Sequence, residues 1–286
     1  QYLSGASGQG GAVAVAKWLA GNASDEGTAT QGPTGLISGP YRDVYEPTQS
    51  PVAIGSPGSR FMFADHLDQG TCATGGYQMW LNTEGMAVAG LTTMYQADAA
   101  AGDSSDADYY LRLADNLADT VMTDAWYYSS LDPSPVDGVY YQQAPNGTIT
   151  GPQPPTADDS FILSEPCDSL AGNTTAWPYD CNPDKPILVD KGIFMRALYC
   201  LNQVLPAAGV SDPTIGPFIT ANAASLWTSD QDAETSDPAA TDLNQFGFNW
   251  DATSSYPYNS VILDFGTQTE AVEALNANLG GSTAMC

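Results

Sequence analysis

A chain of 286 residues can bury one sizeable core or two modest ones. Its 33 acidic residues against 7 basic ones give a formal charge of −26, which excludes nucleic acid and disfavours an anionic membrane surface. Only 14% of residues are charged, so much of the surface must be Ser, Thr, Asn, Gln and Gly, a balance better suited to a secreted protein than to a cytosolic enzyme.

Three acceptor sequons, at Asn22, Asn146 and Asn173, point the same way and mark the chain as an expected extracellular glycoprotein. The start at Gln1 reads as a processed product. No run of ~20 apolar residues is present, so membrane insertion is not expected. The five cysteines, at 72, 167, 181, 200 and 286, fit no zinc spacing, and His66 stands alone, so no metal or cofactor is expected beyond weak calcium binding by acidic loops. Cys167 and Cys181 flank a Pro-, Asn- and Gly-rich loop and are the best candidates for a local disulfide. The odd count leaves at least one thiol free or joined to another chain, and Cys286 is the last residue.

Residues 1–76 form a Gly-, Ser- and Pro-rich segment with one short helix expected from Gln9 to Ala20. A helical domain then occupies 77–286. Its first helix runs from Tyr77 to Ala100, with Trp80, Ala87, Leu91 and Met94 at helical spacing and Glu84 on the same stripe. The second, Asp106 to Asp124, carries Leu111, Ala114, Leu117, Ala118 and Val121 on one face. The stretch from Leu131 to Pro186 is long for a connector and reads as ordered loops with short strands. Helix resumes from Ile187 to Leu205, then from Pro213 in a first turn to Trp227. A solvated acidic loop follows from Ser229 to Asp242, and a last helix runs from Gly266 to Asn278 with Thr267 and Glu270 placed as a capping box. The fold class expected is all-α, built of antiparallel helical hairpins with long ordered loops.

Four segments in order carry a family resemblance. Gly85-Met-Ala-Val-Ala-Gly-Leu-Thr-Thr-Met-Tyr95 is followed by Gly102-Asp103, Tyr110-Leu111, Ala114 and Ala118-Asp119. Ile162-Leu-Ser-Glu165 leads to Asp190-Lys-Gly-Ile-Phe-Met-Arg196. Asn222-Ala-Ala-Ser-Leu-Trp227 precedes Asn244-Gln-Phe-Gly-Phe-Asn-Trp250, and Gln268-Thr-Glu-Ala-Val-Glu-Ala-Leu-Asn276 closes the series. Together they resemble the C-terminal half of glycoside hydrolase family 76, the endo-α-1,6-mannanases and their fungal cell-wall relatives, over about Tyr77 to Leu279. The resemblance implies an (α/α)6 barrel, twelve helices in two rings with a sugar cleft at one end, here as a partial toroid. It also implies retaining hydrolysis of α-mannan by two adjacent Asp, one nucleophile and one acid/base.

That pair belongs to the family's N-terminal half, which this chain does not match. Asp158-Asp159 is followed by Ser160-Phe-Ile-Leu and fits neither the motif nor its place, and nothing in the sequence nominates another pair for the two carboxyls ~5–5.5 Å apart that retaining chemistry needs. Family members also read Tyr-Asn-Gln-Gly where this chain reads Asn82-Thr-Glu-Gly85, so a hydroxyl and a charge replace two amides.

The residues expected at a sugar site are Trp80, Glu84, Trp177, Asp190 and Lys191. A carboxylate on an apolar stripe, as at Glu84, needs a partner or a raised pKa, and such groups gather at sites; the plainer reading is a helix-end residue facing solvent or pairing with a cation. Asp190 and Lys191 border the apolar face of their helix, where a structural ion pair is the favoured reading over substrate contact. Trp18, Trp126, Trp227 and Trp250 could also supply stacking platforms, although most are expected in packing, and Trp177 with Tyr179 is expected to be the most exposed. Asp103, Asp106 and Asp108 lack calcium-loop spacing and read as a solvated helix start.

Six helices make half of a twelve-helix toroid, and an open half leaves apolar faces against water. Either a separate N-terminal half-chain covers them, copies of the chain associate, or loops reseal the core; the expected partners are an α-mannan-like polysaccharide, copies of the chain itself, or a separate N-terminal half-chain. Three functions follow: a glycosidase fragment, a structural subunit that self-assembles into an extracellular filament or layer, and a mannan-binding lectin-like module.

Overall fold

The computed structural model describes residues 44–45, 57, 59, 61–63, 81–124, 140–142, 162–164, 190–230, 246, 250 and 265–280. Among these the chain is mainly helical. The helices are α1 (Leu81–Ala101), α2 (Ser104–Asp124), α3 (Asp190–Val204), α4 (Ile215–Ser225) and α5 (Phe265–Asn278). Two small antiparallel ribbons accompany them: β1 (Val44–Tyr45) with β2 (Met62–Phe63), and β3 (Tyr140–Gln142) with β4 (Ile162–Ser164). Tyr141 pairs with Leu163 in the second ribbon, which falls inside the long stretch expected to hold short strands. The helix expected over 9–20 lies outside the described residues.

The α1–α2 hairpin closes through a two-residue turn. Gly102 takes a left-handed φ of 82°, the Gly102 N–H donates to the Ala99 carbonyl at 3.1 Å, and the Asp103 N–H reaches the Asp98 carbonyl at 2.9 Å. This is the pairing that satisfies a helix C-terminus when glycine follows it. Asp103 then turns its carboxylate to the Asp106 N–H at 3.3 Å and starts α2, so this acidic cluster is a solvated helix start.

Two sequence expectations about helix starts are corrected. Pro213 does not open α4; Asp212 accepts the Thr214 N–H and O–H at 2.7 and 2.6 Å, and helix begins at Ile215. Thr267 is not an N-cap, because α5 already begins at Phe265. The Glu270 carboxylate is instead used across helices, as described below.

The core is one cluster. α2 contributes Tyr110, Leu113, Leu117 and Val121, α3 contributes Phe194, Leu198 and Leu201, and α4 contributes Ile215 and Ile219. α1 packs on both α2 and α3, α3 packs on α5, and α4 lies against α3, α5 and β4. The odd-numbered helices are thus neighbours in series. β4 is fastened by the Leu163 N–H, which donates to the Asn222 side-chain carbonyl at 2.6 Å, while the Asn222 amide donates to the Phe218 carbonyl. The approach to β2 is fastened to α2 by the Phe61 N–H on the Thr120 hydroxyl and by the Asn116 amide on the Ser59 hydroxyl. Cys200 is buried within α3; the other four cysteines, and with them the expected Cys167–Cys181 bridge, lie outside the described residues.

Glycines set the two closest crossings. A Cβ on Gly85 would sit 2.8 Å from the Phe194 Cα and N, and a Cβ on Gly192 would sit 2.7 Å from the Glu270 Cα. Both distances are shorter than side-chain carbons tolerate, so only glycine permits these approaches. Gly192 meets Glu270, and four residues on, Arg196 meets Glu273 at 2.7 Å, so α3 and α5 run parallel. Gly85 lies in the first turn of α1 and meets the start of α3. The three odd-numbered helices therefore begin side by side.

Candidate functional site at the helix starts

Helix starts carry unpaired N–H groups and partial positive charge, so acidic side chains are favoured there. The protein uses this twice. Glu84, in the first turn of α1, is fully buried. Glu270 is also buried, and its carboxylate accepts the Lys191 backbone N–H at 2.7 Å, satisfying the start of α3 from a neighbouring helix. Lys191 itself is buried, and its ammonium lies 5.2 Å from the centre of the Trp250 ring, within cation–π range. Glu84, Lys191 and Glu270 are each engaged in further interactions. Two acids and one base are thus taken out of water at one end of the helix array.

Phe246 and Trp250 are each held by side chains of neighbouring helices. The Gln268 side-chain amide holds both backbone groups of Phe246, donating to its carbonyl at 2.6 Å and accepting its N–H at 3.2 Å. The Ser225 hydroxyl donates to the Trp250 carbonyl at 2.6 Å. Trp250 is fully buried and its indole N–H finds no acceptor among the described residues. Above Phe246 stands Trp227, at 5.8 Å between ring centres and tilted by 43°. Trp227 is 49% exposed.

Of the residues expected at a sugar site, the structure brings Glu84 and Lys191 to this end of the array and buries both. The solvent-facing reading of Glu84 is corrected: the tight crossing at Gly85 draws the preceding residue into the interior. Asp190 is the first residue of α3. Trp80 and Trp177 lie outside the described residues, as do the three sequons at Asn22, Asn146 and Asn173. Sequence reasoning missed Glu270, Gln268 and the Phe246–Trp250 pinning. The signal was present but assigned locally: Glu270 read as a cap for its own helix, whereas it serves another.

One carboxyl on α2 has a raised pKa. Asp115 on α2 is half-buried, and burial, followed by the charges of Asp212 and Asp119, pushes its pKa up to about 6. Among the described residues no cluster of three or more His, Cys, Asp or Glu could hold a metal, and no helix is long and apolar enough to cross a membrane. Comparison with protein-family models, with curated proteins and with solved structures finds no match.

Proposed function

We propose that this chain is an extracellular carbohydrate-directed protein built on a scaffold like that of α-1,6-mannan-hydrolysing glycosidases, and that alone it binds α-mannan-like polysaccharide without cleaving it. The observation that carries the proposal is the parallel, start-to-start arrangement of α1, α3 and α5, with buried charge at that end and an exposed aromatic, Trp227, set against Phe246. Consecutive parallel helices with intervening ones packed on them are what the family resemblance implies for part of an (α/α)6 toroid. The motifs Asp190-Lys-Gly-Ile-Phe-Met-Arg196 and Asn222-Ala-Ala-Ser-Leu-Trp227 supply the crossing at Gly192 and the exposed Trp227. The family's adjacent Asp pair has no counterpart here. Among the described residues, the charges gathered at the helix starts, Glu84, Lys191 and Glu270, are buried, and Glu270 braces the start of α3, which supports a binding surface over a catalytic one.

The test is incubation of the protein with insoluble α-1,6-mannan. Retention in the pellet, release by soluble α-1,6-linked oligosaccharide and no new reducing ends support the proposal. Absence of retention overturns it, and release of reducing ends by this chain alone overturns its non-catalytic part.

A second reading, assembly with copies of itself or with a companion half-chain, is favoured by one feature of α1. Both charged residues of this 21-residue helix, Glu84 and Asp98, are buried. Its exposed positions include Met86, Gly90, Thr93 and Ala97, and a Cβ on Gly90 would meet nothing within 4 Å. An uncharged helix face on a chain of charge −26 suits another helix better than water. Native mass distinguishes the two readings: about 30.0 kDa for a lone chain, a multiple or a mixed mass for an assembly.

A further inference from the structure

We infer that Trp227 is a stacking subsite for a neutral pyranose ring, with Phe246 as its fixed backing. The inference rests on the carbohydrate reading above and assigns it a contact residue.

The local fold presents the indole deliberately. α4 ends in a wider π-helical turn, Leu226–Asp230, a departure from α-helical spacing that is frequent at functional sites. Across this turn Leu226 stays fully buried while the next residue, Trp227, faces solvent over about half its surface. The neighbouring hydroxyls are committed to the scaffold: Ser225 donates to the Trp250 carbonyl, and Thr228 donates to the Ala224 carbonyl at 2.8 Å. Phe246, beside the indole, is buried, and Gln268 holds its backbone by both the N–H and the carbonyl. The result is a planar face on a rigid support.

The chemistry of the face selects the ligand class. Among the described residues, the other large exposed apolar side chains are Met86, Val210, Val272 and Leu279, all aliphatic, and Trp227 alone is aromatic. Its exposed neighbours on the helix, Ala224 and Thr228, are small, so among the described residues of this helix face the apolar area is one ring wide. A charge of −26 repels anionic ligands. A sugar ring fits both properties: its C–H face covers the indole while its hydroxyls keep to water and can accept from the indole N–H.

Calorimetric titration with α-1,6-mannotetraose tests this on wild type, Trp227→Ala and Trp227→Phe, with tryptophan emission followed in parallel. Loss of the ring in Trp227→Ala should weaken binding about tenfold, while Trp227→Phe should lose less than about threefold. The ligand-induced emission change of the wild type should shrink in Trp227→Phe, a readout that stands even if the alanine variant folds poorly. Unchanged affinity in Trp227→Ala, or an undiminished emission change in Trp227→Phe, overturns the subsite while leaving carbohydrate binding intact. Failure of the wild type to bind overturns both.

Discussion

Adding the same methyl group at two glycines of α1 should have opposite effects. At Gly85 a Cβ would lie 2.8 Å from both the Phe194 Cα and N, and 3.0 Å from the Ile193 carbonyl carbon. These are backbone atoms of α3 and cannot step aside as a flexible side chain would. Relief needs α1 and α3 to separate by roughly 0.5–1 Å at a crossing that also carries Leu81, Val88 and Phe194, and such overpacking costs about 1–3 kcal/mol, occasionally more. Alanine gains about 1 kcal/mol of helix propensity over glycine, so with overpacking at the upper end of that range, as a clash with backbone atoms requires, the net for Gly85→Ala is a loss of up to about 2 kcal/mol. At Gly90 the added Cβ meets nothing within 4 Å, and Gly90→Ala keeps the propensity gain, up to about 1 kcal/mol. Urea melts of both variants against wild type measure the difference. Gly85→Ala should move the midpoint down and Gly90→Ala up, with equal slopes. If Gly85→Ala stabilises the protein as much as Gly90→Ala does, α1 and α3 do not cross as described.

Three further outcomes follow from the same structure. Asp115 holds its proton more tightly when folded, so its contribution to stability is complete below about pH 4 and is lost as pH rises through about 6. Asp115→Asn removes this loss and should stabilise the protein by about 1 kcal/mol above pH 6, after discounting for partial exposure, with no gain below pH 4; melts that stay parallel across this range would refute it. Gln268→Ala releases both backbone groups of Phe246 and should cost about 1–2 kcal/mol in a urea melt while weakening oligosaccharide binding; a fall in stability without a change in affinity would separate this support from the ligand site. Arg196→Ala breaks the bond to Glu273, but with the Arg196 side chain substantially exposed the loss should stay within about 1 kcal/mol and shrink further in high salt.

Helix content was largely legible because it depends on local signals. Leu111, Ala114, Leu117, Ala118 and Val121 recur at helical spacing, and the structure buries all five in α2. The turn at Gly102-Asp103 could be read as well, since a glycine needing positive φ and an Asp ready to cap stand together. The crossings could not. Gly85, Gly90 and Gly192 look alike in sequence, yet two of them admit a neighbouring helix and one does not. Which glycine is which depends on residues about a hundred positions away. Glu270 was misread for the same reason: its spacing from Thr267 imitates a local cap, while its carboxylate serves the Lys191 N–H of another helix. Trp227 and Trp250 are equally aromatic in sequence, and only the π-helical turn and the Ser225 bond turn one outward and hold the other in. Position along a chain predicts a helix face; it does not tell which of two tryptophans that face leaves in water.

If α1, α3 and α5 are tied together at their starts, the tie nearest the proposed site is the Glu270 carboxylate on the Lys191 N–H. Amide hydrogen exchange at Lys191, compared between wild type and Glu270→Ala, measures that tie directly. Loss of a charge-assisted hydrogen bond of about 1.5–3 kcal/mol should speed exchange there by roughly ten- to a hundredfold, with the amides of α2 unchanged. Equal protection at Lys191 in the two proteins would mean that Glu270 does not hold the start of α3, and the shared end on which the site is built would be lost with it.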